Sequence, residues 1–164
     1  MAVEAGVPAY YAVLEGTSVV LLEKTEAING VVASIPFPTR NHWSSTSSGL
    51  AMVAFSEPGK ARHLLDLERS SQQEPQTPGA QLEAALEEVR RRGYAERNID
   101  GSRYTLCAPI LDYTGYAIGG LAVSMVTVSR SAAHADRDQV VNLLREAAAR
   151  CSAQAGHAMT LQVP

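Results

Sequence analysis

Five hydroxyl side chains stand in a row from Ser44 to Ser48, and Gly49 then leads into the apolar run Leu50-Ala51-Met52-Val53-Ala54-Phe55. Hydroxyl oxygens just ahead of a helix accept from its unpaired first N–H groups. The same N–H groups, at the positive end of the helix dipole, attract carboxylates, so Thr46-Ser47-Ser48-Gly49 is a physically reasonable anion seat. Serine clusters before helices are most often plain caps, and the loop by itself favours capping over ligand binding. As a cap, Ser47→Ala is expected to cost on the order of 1 kcal/mol.

A second set of small and polar residues lies within Gly93 to Arg130. Thr105, Cys107 and Pro109 alternate there with Leu106, Ala108 and Ile110, Asp112-Tyr113-Thr114-Gly115 supplies a turn, and Tyr116 to Val128 is an apolar return rich in β-branched residues. Strand side chains alternate between faces, so Leu121 and Val123 share one side while Ala122 and Ser124 share the other. One face is greasy and the other small and polar, which leaves room either for a ligand or for a closely packed helix. Arg103 is a solvated strand end or, beside such a pocket, a bidentate partner for a carboxylate. Trp43, the only tryptophan, walls the pocket or joins the core, and the core is the better reading.

Other chemistries find no support. The Gly-x-Ser-x-Gly pattern of a nucleophilic hydrolase is absent. His42, His63, His134 and His157 form no constellation with one another, with the cysteines or with any serine. Cys107 sits mid-strand, where an inert thiol is expected, and neither Cys107 nor Cys151 has metal-like spacing to another ligand. Gly115, Gly119 and Gly120 fall at a hairpin turn and inside a strand, so they fail the context of a nucleotide loop. No catalytic residue, cofactor or metal is expected.

The elements that must hold these residues are legible along the chain. Ala9–Leu14 and Ser18–Glu23 read as a hairpin around Glu15-Gly16-Thr17, and Asn29-Gly30 leads into a short strand Val31–Ile35 stopped by Pro36 and Pro38. After the helix that begins at Leu50, Ser56-Glu57-Pro58 opens a second, carrying Leu64, Leu65 and Leu67. Glu68–Gly79 reads as an exposed loop. Thr77-Pro78 starts a third helix with Leu82, Leu86 and Val89 on one stripe, closed by Arg90-Arg91-Arg92 and Gly93. A last helix, capped by Ser131 or Asp136, carries Val140, Leu144, Ala147 and Cys151 on one face. The order is that of an α+β domain with a mainly antiparallel sheet flanked by helices.

At 164 residues, with 46% hydrophobic and 19% charged residues, the chain is expected to form one globular domain. A net charge of −3, with no basic cluster beyond the arginine triplet, argues against direct nucleic-acid binding. The N-terminus lacks signal-peptide character, the apolar run at 117–128 is too short to cross a bilayer, and the cysteine usage suits a reducing compartment, so a cytoplasmic setting without a membrane role is expected.

The succession AYYAVLEGTSVVLLEK, SSTSSGLAMVAF, LEEVRRRGYAERNID, LCAPILDYTGYAIGGLAVSMVTVSR and LREAAARCSAQAG resembles the effector-binding domain of IclR-type transcriptional regulators, from about Gly6 to Gly156. The resemblance implies a GAF-like fold with a six-stranded antiparallel sheet, a non-enzymatic sensor, a homodimer or tetramer, and a separate winged helix-turn-helix that binds operator DNA. On that reading residues 1–8 are the remnant of an interdomain linker, 9–156 the sensor and 157–164 a loose tail. Carried over by position, the family's ligand loop falls on Ser47 and Ser48, and ligand-facing strand positions fall on Thr105, Ala122 and Ser124. The family usually has a His-Ala-Thr-like stretch where this chain reads Ser44-Ser45-Thr46, and acidic residues where it reads Arg97, Asn98, Ser102 and Arg103. The expected ligand is a small organic acid, with Arg103 a candidate for its charge. The rivals are a structural or dimerisation module without ligand and a small-molecule enzyme.

Overall fold

A computed structural model describes residues 6–25, 39–70, 79–101, 103–126 and 137–158. The first hairpin forms as its turn chemistry dictates: β1 (Ala9–Glu15) and β2 (Ser18–Thr25) pair antiparallel around Gly16, whose φ of 56° lies in the left-handed region that favours glycine. A short exposed strand, β3 (Arg40–His42), adds to β2; three polar residues carry no alternation, so the sequence offered no signal for it. The expected strand at 31–35 and its Asn29-Gly30 turn lie outside the described residues.

The chain then makes a 3-10 turn (Trp43–Ser45) and three helices, α1 (Ser47–Ala54), α2 (Pro58–Ser70) and α3 (Gly79–Arg92). Helix α2 runs on to Ser70, past the expected loop start at Glu68; of its three leucines Leu64 is buried, Leu65 partly so, and Leu67 is exposed. Residues 71–78, with the Thr77-Pro78 start signal, lie outside the described set. Leu82, Leu86 and Val89 are buried as their spacing requires, and Gly93, at φ 77°, ends α3 by donating its N–H to the Val89 carbonyl at 2.8 Å. Arg90 also reaches across to the Ala54 carbonyl at the end of α1, 2.8 Å away.

Strands β4 (Ala95–Asn98), β5 (Arg103–Leu111) and β6 (Ala117–Val126) follow, then α4 (Arg137–Gln154). The six strands form one sheet in the order β3-β2-β1-β6-β5-β4, antiparallel at every junction. The cap candidates Ser131 and Asp136 lie outside the described residues. Of the expected stripe on α4, Val140, Leu144 and Ala147 are buried and Cys151 half-buried, and Ala148 and Ser152 join the covered face. His157, at the head of the expected loose tail, is tied down: its N–H donates to the Ser152 carbonyl and its Nδ1 lies 2.9 Å from the Asp112 carbonyl oxygen.

The sheet is covered on both faces. Tyr10, Ala12, Val19, Leu21, Cys107 and Ala122 pack with Trp43 and helices α1 to α3 on one side. Ala9, Leu106, Ala108 and Val123 pack with α4 on the other. Leu106 to Ile110 are therefore buried without interruption, as strands covered on both faces should be. Small residues let α1 come close: a Cβ on Gly120 would lie 2.7 Å from the Cys107 sulfur and 3.6 Å from Met52. At the start of α4, Arg137 bonds Glu96 and, with Arg92 from the end of α3, holds that carboxyl below its usual range. The guanidinium of Arg92 also lies 4.4 Å over the Tyr94 ring.

Candidate functional site

The hydroxyl run divides its labour. Trp43 donates its N–H to the Thr17 carbonyl at 2.9 Å, which anchors the chain at the β1–β2 turn. Thr46 then takes an extended conformation and its side chain accepts from the Gly49 N–H at 2.9 Å. Thr46 is thus the N-cap of α1, where the sequence reading placed Ser47 among the caps; Ser47 and Ser48 are first-turn residues. Thr46→Ala should lower unfolding stability by about 1 kcal/mol. Urea unfolding of the variant checks this, and an unchanged stability would take the capping role from Thr46.

Released from capping, both serines turn toward the sheet and are buried. Ser47 donates to the Thr105 hydroxyl at 3.0 Å. Ser48 lies near the Cys107 thiol, which donates to the Ala108 carbonyl at 3.7 Å, and burial, outweighing the influence of Ser48, pushes the thiol up to about 12. A thiol so protonated is a poor nucleophile at neutral pH. Thr105 stands opposite Ser124 and Cys107 opposite Ala122 in the β5–β6 ladder, so all four lie on the face that α1 approaches.

That face is shared between packing and space. Over Cys107 and Gly120 the helix closes on the sheet; over Thr105, Ala122 and Ser124 a cavity of about 270 Å³ opens. Its lining is mixed: the hydroxyl-bearing Ser45, Thr46, Ser47, Ser48, Thr105 and Ser124 border it together with Tyr10, Val19, Leu21 and Ala122, and with Val123, whose side chain packs on the opposite face. Asn41, Ile99 and Arg103, all exposed, stand at the mouth. Arg103 is the one Lys, Arg, Asp or Glu among the lining residues, and its Nε donates to Asp100 Oδ2 at 2.7 Å.

Every residue singled out from the sequence, Ser47, Ser48, Thr105, Ala122, Ser124 and Arg103, borders this one cavity. Trp43 does not; it is fully buried in the core. The sequence reading missed Tyr10, Val19 and Leu21. Val19 and Leu21 alternate on one face of β2, and Tyr10 pairs with Ala122 across the β1–β6 ladder. Period two contained that signal, whereas the β1–β6 pairing joins strands far apart in the chain. Beneath the loop, Ser44 is buried and donates to Glu68 Oε1 on α2 at 2.8 Å, with His42 Nδ1 3.0 Å from the same hydroxyl. Among the described residues no group of His, Cys, Asp and Glu comes together that could hold a metal.

Comparison with known proteins places this architecture. Residues 2–153 match the family model described as the bacterial transcriptional regulator IclR C-terminal domain. The IclR protein of Thermotoga maritima is similar at 24% identity and a TM-score of 0.76, over 94% of this chain and 63% of that one. An IclR-type transcriptional regulator from Silicibacter sp. TM1040 is similar at 25% identity and 0.76, over 99% of this chain and 65% of that one. The C-terminal domain of the Escherichia coli transcriptional regulator KdgR is similar at 26% identity and 0.72, over 95% and 92%. The chain thus spans under two thirds of the two longer proteins and nearly the whole of the isolated domain. Among curated proteins none matches the sequence.

Proposed function

The chain belongs to the family of C-terminal domains of IclR-type bacterial transcriptional regulators, and from that membership we propose that it is the effector-sensing domain of such a regulator, taking a small organic carboxylate into the cavity between α1 and the sheet. The observation that carries the proposal is the cavity itself, bordered by both hydroxyl-bearing and apolar residues, with Arg103 at its mouth. A small acid with a short apolar body fits such a mixed lining. Ser47, Ser48, Thr105 and Ser124 orient the ligand through their hydroxyls, Ala122 leaves it room, and the loop N–H groups with a guanidinium beside the cavity, Arg103 being the candidate the sequence named, meet its charge.

In the full-length regulator a winged helix-turn-helix ahead of this domain would bind operator DNA, and the domain would act as a homodimer or tetramer in the cytoplasm. The share of the longer similar proteins left uncovered supports that reading. Effector binding would shift the regulator between two arrangements by no more than its differential affinity for them. Among the described residues no helix is long and apolar enough to cross a membrane.

Calorimetric titration with small aliphatic and aromatic acids tests the proposal. At least one acid is expected to release heat and raise the unfolding temperature, and Ser124→Ala is expected to weaken it about five- to tenfold, the effect of one lost hydrogen bond. If no acid gives either heat or a thermal shift, the sensing role is wrong. A structural module without ligand is then the better reading, favoured by the Ser47–Thr105 bond, which joins these two hydroxyls to each other.

A further inference from the structure

Arg97 stands directly across from Thr105 in the β4–β5 ladder. Facing partners of an antiparallel pair project to the same side, so its side chain leaves the sheet on the side of Thr105 and Ser124; it is not itself among the cavity's lining residues and lies behind the loop at Ser44. It is half-buried, and its Nη2 donates to the carbonyl of Ser44, the residue before the lining Ser45. Its Nε–H is buried and has no partner in the protein among the described residues. Nor does any described carboxylate pair with it, and burial pushes its pKa down.

The other arginines near the sheet are matched. Arg92, also partly buried, has Glu96 and Glu88; Arg137 has Glu96; Arg103 has Asp100 and is half exposed to water. A guanidinium drawn partly out of water and given a single neutral carbonyl is under-paired, because a buried charge needs an opposite charge or several strong hydrogen bonds to offset desolvation. Exchange of the carbonyl for a carboxylate roughly doubles the strength of each bond and admits a second, parallel one.

We propose that Arg97, not Arg103, is the cation that makes the cavity choose an acid over its neutral analogue. The ligand's carboxylate enters between the Ser45–Ser48 loop and Thr105 and takes the Arg97 guanidinium over from the Ser44 carbonyl. Arg103 stays with Asp100 at the mouth. This rests on the effector-sensing reading above and adds to it the residue that sets ligand charge.

The test is calorimetry of the chain with four acid and primary-amide pairs: acetate and acetamide, butyrate and butyramide, benzoate and benzamide, 4-hydroxybenzoate and 4-hydroxybenzamide. The unchanged protein is expected to prefer the acid of its best pair by about tenfold or more, the range of one charge-assisted bond. Arg97→Gln should reduce that preference to within about twofold, Arg97→Lys, which keeps charge but not the fork, should lose about threefold or more, and Arg103→Gln should hold it within about threefold. Unfolding temperature and circular dichroism establish that each variant is folded, and Arg97→Lys decides the matter should Arg97→Gln not fold. The proposal is overturned if Arg103→Gln abolishes the preference while the Arg97 variants keep it. It is equally overturned if Arg97→Gln weakens acid and amide alike, which marks Arg97 as a clamp on the Ser44 loop. Failure of the unchanged protein to bind any acid removes the sensing role and this residue assignment together; binding that ignores Arg97 removes the assignment alone.

Discussion

Gly49→Ala should destabilise the domain by about 3 kcal/mol or more, or abolish folding, although alanine is the better helix former by roughly 1 kcal/mol. Gly49 lies in the first turn of α1 at an ordinary helical φ, so its backbone asks for no glycine. What asks for it is the neighbour: a Cβ there would lie 2.0 Å from the Trp43 carbonyl oxygen and 2.6 Å from both the Trp43 carbonyl carbon and Cα. These are backbone atoms, and they are held. The Trp43 carbonyl accepts from the Thr46 N–H at 3.3 Å and from the Thr46 hydroxyl at 3.4 Å, while the Trp43 N–H is tied to Thr17. Relief therefore requires moving α1 off the 3-10 turn, which strips the cap and the first-turn serines from their partners together. Urea unfolding followed by circular dichroism decides the question. A variant as stable as the parent, which helix propensity alone would lead one to expect, refutes the close approach.

The second large effect is expected at the other side of the same contact. Trp43→Ala should cost about 3–5 kcal/mol, the range for deleting a large buried aromatic side chain. Trp43 is fully buried and belongs to the cluster that joins Tyr10, Met52, Leu64 and Leu82. Its indole N–H is buried without a partner among the described residues, so Trp43→Phe gives up area but sheds an unsatisfied donor and should cost clearly less than Trp43→Ala. The parent protein's single tryptophan supplies its own probe, and its emission should shift to the red on unfolding. Because the Gly49 conflict is with the Trp43 backbone, Trp43→Ala should not rescue Gly49→Ala. A cost under about 1 kcal/mol for Trp43→Ala would mean that the hydroxyl-rich loop is anchored some other way.

Much of the scaffold was readable because the deciding forces are local. Gly16 and Asp112-Tyr113-Thr114-Gly115 mark turns by backbone chemistry, Gly93 stops a helix by its positive φ, and Leu82, Leu86 and Val89 declare their shared face by spacing. The limits were equally physical. Strand β3 has no apolar residue to report a face, and Thr46 competes with four neighbouring hydroxyls for one capping position that only φ and ψ identify. The contrast first drawn between a greasy face and a polar one gave way to a sheet buried on both sides, since alternation records polarity and not which helices arrive.

By itself the sequence determined most of the run of elements, the two hairpins and the shared face of Ala122 and Ser124, because period-two alternation and turn residues act over a few bonds. The tertiary structure alone decided that Ser47 meets Thr105 across 58 positions of chain. It also decided that the small-residue face is helix contact over Gly120 but cavity over Ser124, and that Arg97 is the half-buried cation left without a carboxylate among the described residues. Those outcomes depend on where α1 and the loop before it come to rest against the sheet, a balance of packing and desolvation over the whole core that no short stretch of residues contains.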